Sequence, residues 1–365
     1  MPGYPAAVDV AVGAPEISTD GVTFSVPDPA GALEAVRLHQ EIMRPRAGPE
    51  FARSASDGIW RAWVARPNAD RMEYKIEVVH KDGRIEVMCD PTNPRRAPGP
   101  FGDKSAIEWP EYRPPAWIDV QPDSPGTAFE AHLGSRTLRA ELQTIIWTAP
   151  GATARDRLPL LIVHDGPEYA EYSELTRVLA VAVEGGRLPA MHAALLAPVN
   201  RNQTYSASAA YSRAMAHELL PVLTELAPSR RGPGLVVGMG ASLGALAMLH
   251  VHRSTPSALG GLFLQSGSYF RQRFDRQELE FVRFRRITRF MGRVYAEEAW
   301  PSPVPTAMTC GAAEENLNNN RAAFVALQAQ GYDVSLHENR DAHNWVAWRD
   351  TLDPHLIEFL AGLWS

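Results

Sequence analysis

The stretch Gly234-Leu-Val-Val-Gly-Met-Gly-Ala-Ser242-Leu-Gly244 runs from a short apolar segment into a glycine-rich turn, and a helical pattern follows at 243–253. The apolar part, 234–238, has the length and content of a strand buried on both faces. The turn fits G-x-S-x-G at 240–244, with small residues on either side of a serine between a strand and a helix. That is the context of a nucleophile elbow, in which a strained turn presents the serine hydroxyl above the strand ends. Ser242 is therefore the candidate nucleophile. The helix opening just after it aims unpaired N–H groups and a positive dipole end at the same point, so the amide of Leu243 is a natural oxyanion donor. A dinucleotide fingerprint, G-x-G-x-x-G, fails because position 243 is Leu and the last glycine falls one residue late.

Outward from Ser242 the pattern alternates. Strands are expected at 139–148, 158–164, 193–199, 261–265, 305–310 and 334–338, and helices at 172–184, 206–227, 243–253, 276–294, 316–330 and 345–363. Such alternation predicts an α/β domain, a mostly parallel sheet with helices on both faces, over 126–365. On such a scaffold the acid and then the histidine follow the serine in the chain. His250 and His252 lie on the helix behind Ser242, whereas His343 follows the last expected strand and opens the last helix, where a triad base belongs. The acid should follow the strand at 305–310. Glu314 is the first choice there and Glu315 the alternative, and either also reads as a carboxylate favoured at a helix N-terminus. A second oxyanion donor is expected after 158–164, at Asp165-Gly166; Pro167 has no N–H, which leaves Gly166.

The first third is written differently. Short alternating runs at 22–26, 34–39, 58–64 and 71–78, broken by turn residues, predict an all-β sandwich, with a hairpin turn at Lys81-Asp-Gly-Arg84. The proline-rich text at 91–125 reads as a connector, which sets the domains at 1–125 and 126–365. Composition agrees with a globular protein of about two domains: 365 residues, 45% hydrophobic and 21% charged. A net charge of -6 excludes a global positive field for nucleic acid. Two distant cysteines, Cys89 and Cys310, give neither a disulfide framework nor a zinc motif. The N-terminal residues lack a basic region and an apolar core of the secretory type, and no apolar run spans a bilayer, so a cytoplasmic protein is expected.

With those residues in place, the chain resembles the enterochelin (enterobactin) esterase and esterase-D group of α/β hydrolases, and it does so over nearly its whole length. Leu160 to Gly166 is similar to that group's "lylLDG" strand and turn, and Glu218-Leu-Leu-Pro221 to its E-L-L-P helix end. Gly240 to Gly244 with Gln265-Ser-Gly-Ser268 resembles its serine elbow and Q-S-G-S strand end. Cys310-Gly-Ala-Ala-Glu314 is similar to G-x-x-E, and His343-Asn-Trp345 with Trp348-Arg349 to G-H-D-W-x-x-W-R. Val22-Thr-Phe-Ser, Asp57-Gly-Ile-Trp60 and Asp90-Pro-Thr-Asn-Pro94 resemble the group's immunoglobulin-like first domain.

The resemblance implies a serine esterase that opens the lactone bonds of a catecholate siderophore, with Ser242, His343 and Glu314 as triad. Leu243 and Gly166 would bind the oxyanion, and Asp165, Arg201, Tyr269 and Trp345 are expected at the substrate. No metal or organic cofactor is called for, and neither nucleic acid nor a membrane is an expected partner; the oligomeric state is not written in the sequence. Departures concern the substrate. Asp341-Ala342 replaces Gly-Gly before the histidine, Asn344 replaces the following Asp, and Arg201-Asn-Gln-Thr-Tyr205 lacks the acid of R-x-x-E-L. Two other readings are an esterase or acyltransferase acting on an acylated sugar or small metabolite, and an inactive ligand-binding member of the fold. A local patch, Arg271 to Arg293, holds eight arginines against three acids beside the expected site; it reads either as an anion-binding rim or as the solvated face of a helix with Phe284, Ile287, Met291 and Val294 inward.

Overall fold

The computed structural model describes residues 13–229 and 234–364. The first 12 residues, part of the stretch searched for a signal peptide, lie outside them. The described chain divides into two compact units. One comprises the residues up to Arg113 together with Arg340–His343, and the other Pro114–Asn339 with Asn344 onward.

The first unit is all β. Its strands are β1 (Gly13–Ile17), β2 (Gly21–Pro27), β3 (Leu33–Gln40), β4 (Ala47–Glu50), β5 (Ala52–Arg53), β6 (Ile59–Ala65), β7 (Arg71–His80), β8 (Ile85–Met88), β9 (Arg96–Ala97) and β10 (Lys104–Glu108). They form one sheet ordered β1-β2-β6-β5 and another ordered β4-β3-β7-β10-β9, with β8 beside β7. Period-2 patterning explains the layering: Val22, Phe24 and Val26 of β2 and Trp60, Ala62 and Val64 of β6 point inward, against Val36, Leu38, Tyr74 and Ile76 of the other sheet. The expected hairpin at 81–84 joins β7 to β8. One expectation changes. The proline-rich stretch from 91 is not all connector, because β10 pairs antiparallel with β7 and buries Ile107 and Trp109. Asn93 ties the turn before it, donating to the carbonyl of Ala106 at 2.8 Å and to the Tyr74 hydroxyl at 3.1 Å.

The second unit carries an eight-stranded sheet: β11 (Thr127–Ser135), β12 (Ala140–Thr148), β13 (Leu160–His164), β14 (His192–Leu196), β15 (Val236–Ala241), β16 (Gly261–Gln265), β17 (Thr306–Gly311) and β18 (Val334–Asn339). The order is β11-β12-β14-β13-β15-β16-β17-β18, with β12 antiparallel to β11 and β14 and the remaining pairs parallel. Its helices are α1 (Gly166–Tyr172), α2 (Leu175–Glu184), α3 (Arg201–Thr204), α4 (Ala209–Ala214), α5 (Leu220–Leu226), α6 (Leu243–Ser254), α7 (Phe284–Ala296), α8 (Leu317–Ala329), α9 (Trp345–Asp350) and α10 (Ile357–Trp364). Alternate residues of the inner strands feed opposite cores: Leu160 and Ile162 join α4, α6 and α7 on one face, and Leu161 and Val163 join α2 and α10 on the other. This is the expected α/β-hydrolase arrangement. Parallel strands put the loops after β13, β15, β16, β17 and β18 at one edge of the sheet, the edge where such sheets hold their ligands.

Local chemistry redraws several helices. The helix expected at 206–227 becomes α4, a wide π turn at Met215–Leu219 and α5, because Pro221 cannot donate and its ring displaces the carbonyl four residues back. The carboxylate of Glu218, in that turn, accepts from the hydroxyls of Ser135 and Thr137, which fixes the β11–β12 hairpin. The last helix is likewise broken at Asp353, which leaves helical φ/ψ ahead of Pro354. The helix expected at 276–294 is continuous only from Phe284, while Phe274, Leu279 and Val282 before it are exposed. Strand β11 and helix α1 were not expected.

Candidate active site

Ser242 lies between β15 and α6 with φ 56° and ψ -119°, the left-handed half of the map where a side chain is strained by roughly 1–3 kcal/mol. Two contacts hold it there. Its N–H donates to the carbonyl of Gln265 at 2.9 Å, and its carbonyl accepts from the amide of Ser268 at 3.1 Å. The glycines of the motif let the strand and helix close on each other: a Cβ on Gly240 would sit 2.6 Å from the carbonyl carbon of Gly244. The hydroxyl of Ser242 is half-buried, 3.2 Å from that of Ser268.

Glu314 follows β17 and is buried, and one carboxylate oxygen accepts from the Ser266 hydroxyl at 2.6 Å and the Gly311 amide at 2.9 Å. Ser266 accepts in turn from the indole N–H of Trp348 at 2.9 Å. The segment 265–268 therefore touches both Ser242 and Glu314. Glu315 is exposed. His343 is half-buried on the loop between β18 and α9, next to Asn344, whose side chain caps α9 by accepting from Ala347 at 2.8 Å. The loop residues before it count with the sandwich: the Asp70 amide donates to the Arg340 carbonyl at 2.8 Å, and buried Arg71 lies 2.9 Å from Glu73 and 3.5 Å from Asp341. The departure at Asp341 thus has a structural counterpart, since the new carboxylate stands beside a buried guanidinium.

At the end of β13, Asp165 takes a left-handed conformation (φ 51°) and Gly166 begins α1. Gly166 has no room for a side chain, because a Cβ would lie 2.3 Å from the Cα of Leu195. Asp165 is buried and bound by Arg201, whose Nε and Nη2 lie 2.9 and 2.8 Å from its oxygens. Both are expected at the substrate, and here they pair with each other. Trp345 is half-buried, edge-on to Tyr169 and Trp348 at ring separations of 5.2 and 4.9 Å. Tyr269 needs correction: it is fully buried, its ring against Gly267, so no face is open to a substrate. Burial raises its hydroxyl pKa well above the ordinary value.

Within the arginine-rich segment, Arg286 reaches the carbonyls of Ser206 and Gln203, and Arg271 binds Asn319 at 2.8 Å. Arg273, Arg276, Arg285 and Arg289 are exposed. Ser266, which links Glu314 to Trp348, was not among the expected site residues, although the Q-S-G-S motif was a signal for it.

No family profile matches the chain. It is 27% identical to the iron(III) enterobactin esterase of Escherichia coli O6:H1, over 92% of this chain and 90% of that protein. Over a shorter stretch, 53% of this chain and 46% of the relative, it is 29% identical to the iron(III) enterobactin esterase of Dickeya dadantii. Among solved structures, the enterochelin esterase of Shigella flexneri superposes with a TM-score of 0.74 at 22% identity, covering 96% of both chains. The ferric enterobactin esterase of Salmonella typhimurium gives a TM-score of 0.73 at 22% identity, over 94% and 93% of the two chains. The fold is of the α/β-hydrolase type, and the relatives it matches over most of its length place it among hydrolases of carboxylic esters. The particular proteins it is similar to over nearly its whole length are the enterochelin (enterobactin) esterases, the resemblance its motifs led us to expect.

Proposed function

We propose that the protein hydrolyses the ester or lactone bonds of a siderophore-type substrate through a Ser242–His343–Glu314 triad and an acyl-enzyme. The observation that carries the reading is Ser242 itself, a non-glycine residue at positive φ between a buried parallel strand and a helix N-terminus. Ser242 Oγ attacks the ester carbonyl carbon as His343 takes its proton, and the oxyanion accepts from the amides of Leu243 and Gly166. The bond between the acyl carbon and the alcohol oxygen then breaks, and His343 returns the proton to the leaving alkoxide. Water, deprotonated by His343, hydrolyses the acyl-enzyme and frees the serine. Glu314 orients the imidazole and stabilises its charged form; its burial beside the serine segment, against the exposure of Glu315, supports that choice.

The substrate class rests on the relatives, which are iron(III) enterobactin esterases. The exposed arginines at 273, 276, 285 and 289 suit an anionic catecholate. In this reading the first unit is an immunoglobulin-like domain and the protein works in the cytoplasm.

The test is a panel with a p-nitrophenyl ester, an acylated sugar and a tri-catechol trilactone, run on wild type and Ser242→Ala. We expect linear products from the trilactone, and loss of turnover and of fluorophosphonate labelling in the variant. Labelling and turnover retained by the variant would refute the nucleophile. Turnover of the acylated sugar alone would leave the mechanism and overturn the substrate class.

A further inference from the structure

The last residue of β13, His164, is completely buried, and the triad chemistry makes no use of it. Its Nδ1 lies 3.0 Å from the carbonyl oxygen of Gly244, and its Nε2 lies 2.7 Å from the hydroxyl of Tyr211. A carbonyl can only accept, so Nδ1 carries the proton and Nε2 accepts from Tyr211. The ring also stacks on Tyr205 at 4.3 Å. Burial pushes its pKa down to about 4, which keeps it neutral in the working range of an esterase.

The location matters more than the ring's chemistry. His164 stands two residues before Gly166, and the carbonyl it binds is one residue beyond Leu243. These are the two amides assigned to the oxyanion, and they come from different segments. The segments also meet by van der Waals contact: a Cβ on Gly244 would lie 3.2 Å from the Cβ of His164 and 3.3 Å from an Asp165 oxygen. Arg201 holds the other side of Asp165. Beyond the last β13–β15 register pair, Val163 with Met239, the hydrogen bond of the His164 side chain ties the two donor segments together.

We infer that His164 is a positioning residue for the oxyanion site: its hydrogen bond to Gly244, braced by Tyr211, sets the separation of the Leu243 and Gly166 amides. This rests on Ser242 being the nucleophile. Donor placement acts on the transition state and not on ground-state binding, so its loss should appear in kcat.

The test compares His164→Leu, His164→Asn and the double variant His164→Leu/Tyr211→Phe, which removes the Tyr211 hydroxyl that His164→Leu alone would strand. Readouts are kcat and KM on a p-nitrophenyl ester, the rate of Ser242 labelling by a fluorophosphonate, the pH dependence of kcat/KM, and Tm. Removing the donor should lower kcat and the labelling rate by about 10–100-fold with KM little changed. Asn carries an amide N–H close to the Nδ1 position and should restore most of the loss. The midpoint of the pH profile should stay where it is, since His164 is not the base.

If the Leu and double variants keep kcat within about twofold while Ser242→Ala is inactive, the inference falls and the nucleophile stands. It falls equally if Asn gives no rescue and activity merely tracks Tm. Activity retained by Ser242→Ala would remove the underlying reading instead.

Discussion

At the scale of single residues, the site depends on positions where one atom more or less matters. Gly240 is such a position, because an added methyl meets backbone and not the free end of a side chain. Gly240→Ala should lose most esterase activity and about 1–3 kcal/mol of stability, read by urea unfolding; near-wild-type values for both would contradict the close approach. Between the two carboxylates, Glu314→Gln should lower kcat by about 10²–10⁴-fold, whereas Glu315→Gln should stay within a few-fold. The reverse order would transfer the acid role to Glu315. Ser242 and the glycines around it were legible because the constraint is local and each needs only its neighbours. Tyr269 was misread for the opposite reason: adjacency in the chain to Ser268 says nothing about which way a ring turns, and this one turns into the core.

At the scale of elements, strands were easier to read than helices. The inner strands are short apolar runs because both faces are covered, and β16 matches its expected range at 261–265. Helix ends depended on prolines acting several residues away. Pro221 turned one expected helix into three pieces, and the middle piece carries Glu218 to the β11–β12 hairpin. The connection between β13 and α3 is an element-level feature with a testable consequence. Asp165 is buried and Arg201 only partly so, so losing the arginine leaves a carboxylate without its cation. Arg201→Gln should cost about 1–3 kcal/mol after allowance for the exposed arginine, and Asp165→Asn in the same chain should recover part of it. Additive losses in that double-mutant cycle would show that the pair is not coupled.

For the molecule as a whole, buried histidines should govern stability in mild acid. His164, His250 and His252 are enclosed, and burial pushes each pKa down to about 4. An unfolded histidine binds a proton near pH 6.5. Below that pH the unfolded chain takes up protons that the folded chain refuses, so stability present above about pH 6.5 is lost progressively as the pH falls toward 4. The urea-unfolding free energy should drop across this window with an uptake of about three to four protons near pH 5, roughly one for each of these imidazoles and one for the partly buried His355, whose pKa burial also pushes down to about 4. His252→Asn should reduce that uptake by about one. A flat profile between pH 6.5 and 4.5 would mean that these rings charge in the folded state.

What the sequence determined by itself is the class of fold and the strained serine turn that we propose as the nucleophile's seat. Periodicity is a property of consecutive residues, and the strain of a strand–serine–helix turn is set by the glycines beside it. Tertiary structure alone decided which partners complete the site. Asp165 meets Arg201 across 36 positions, Ser266 meets Glu314 across 48, and His164 meets Gly244 across 80. Such pairs are fixed by the order in which parallel strands assemble, and by whether the space between two elements is filled by hydrogen or by carbon; no window of sequence contains either.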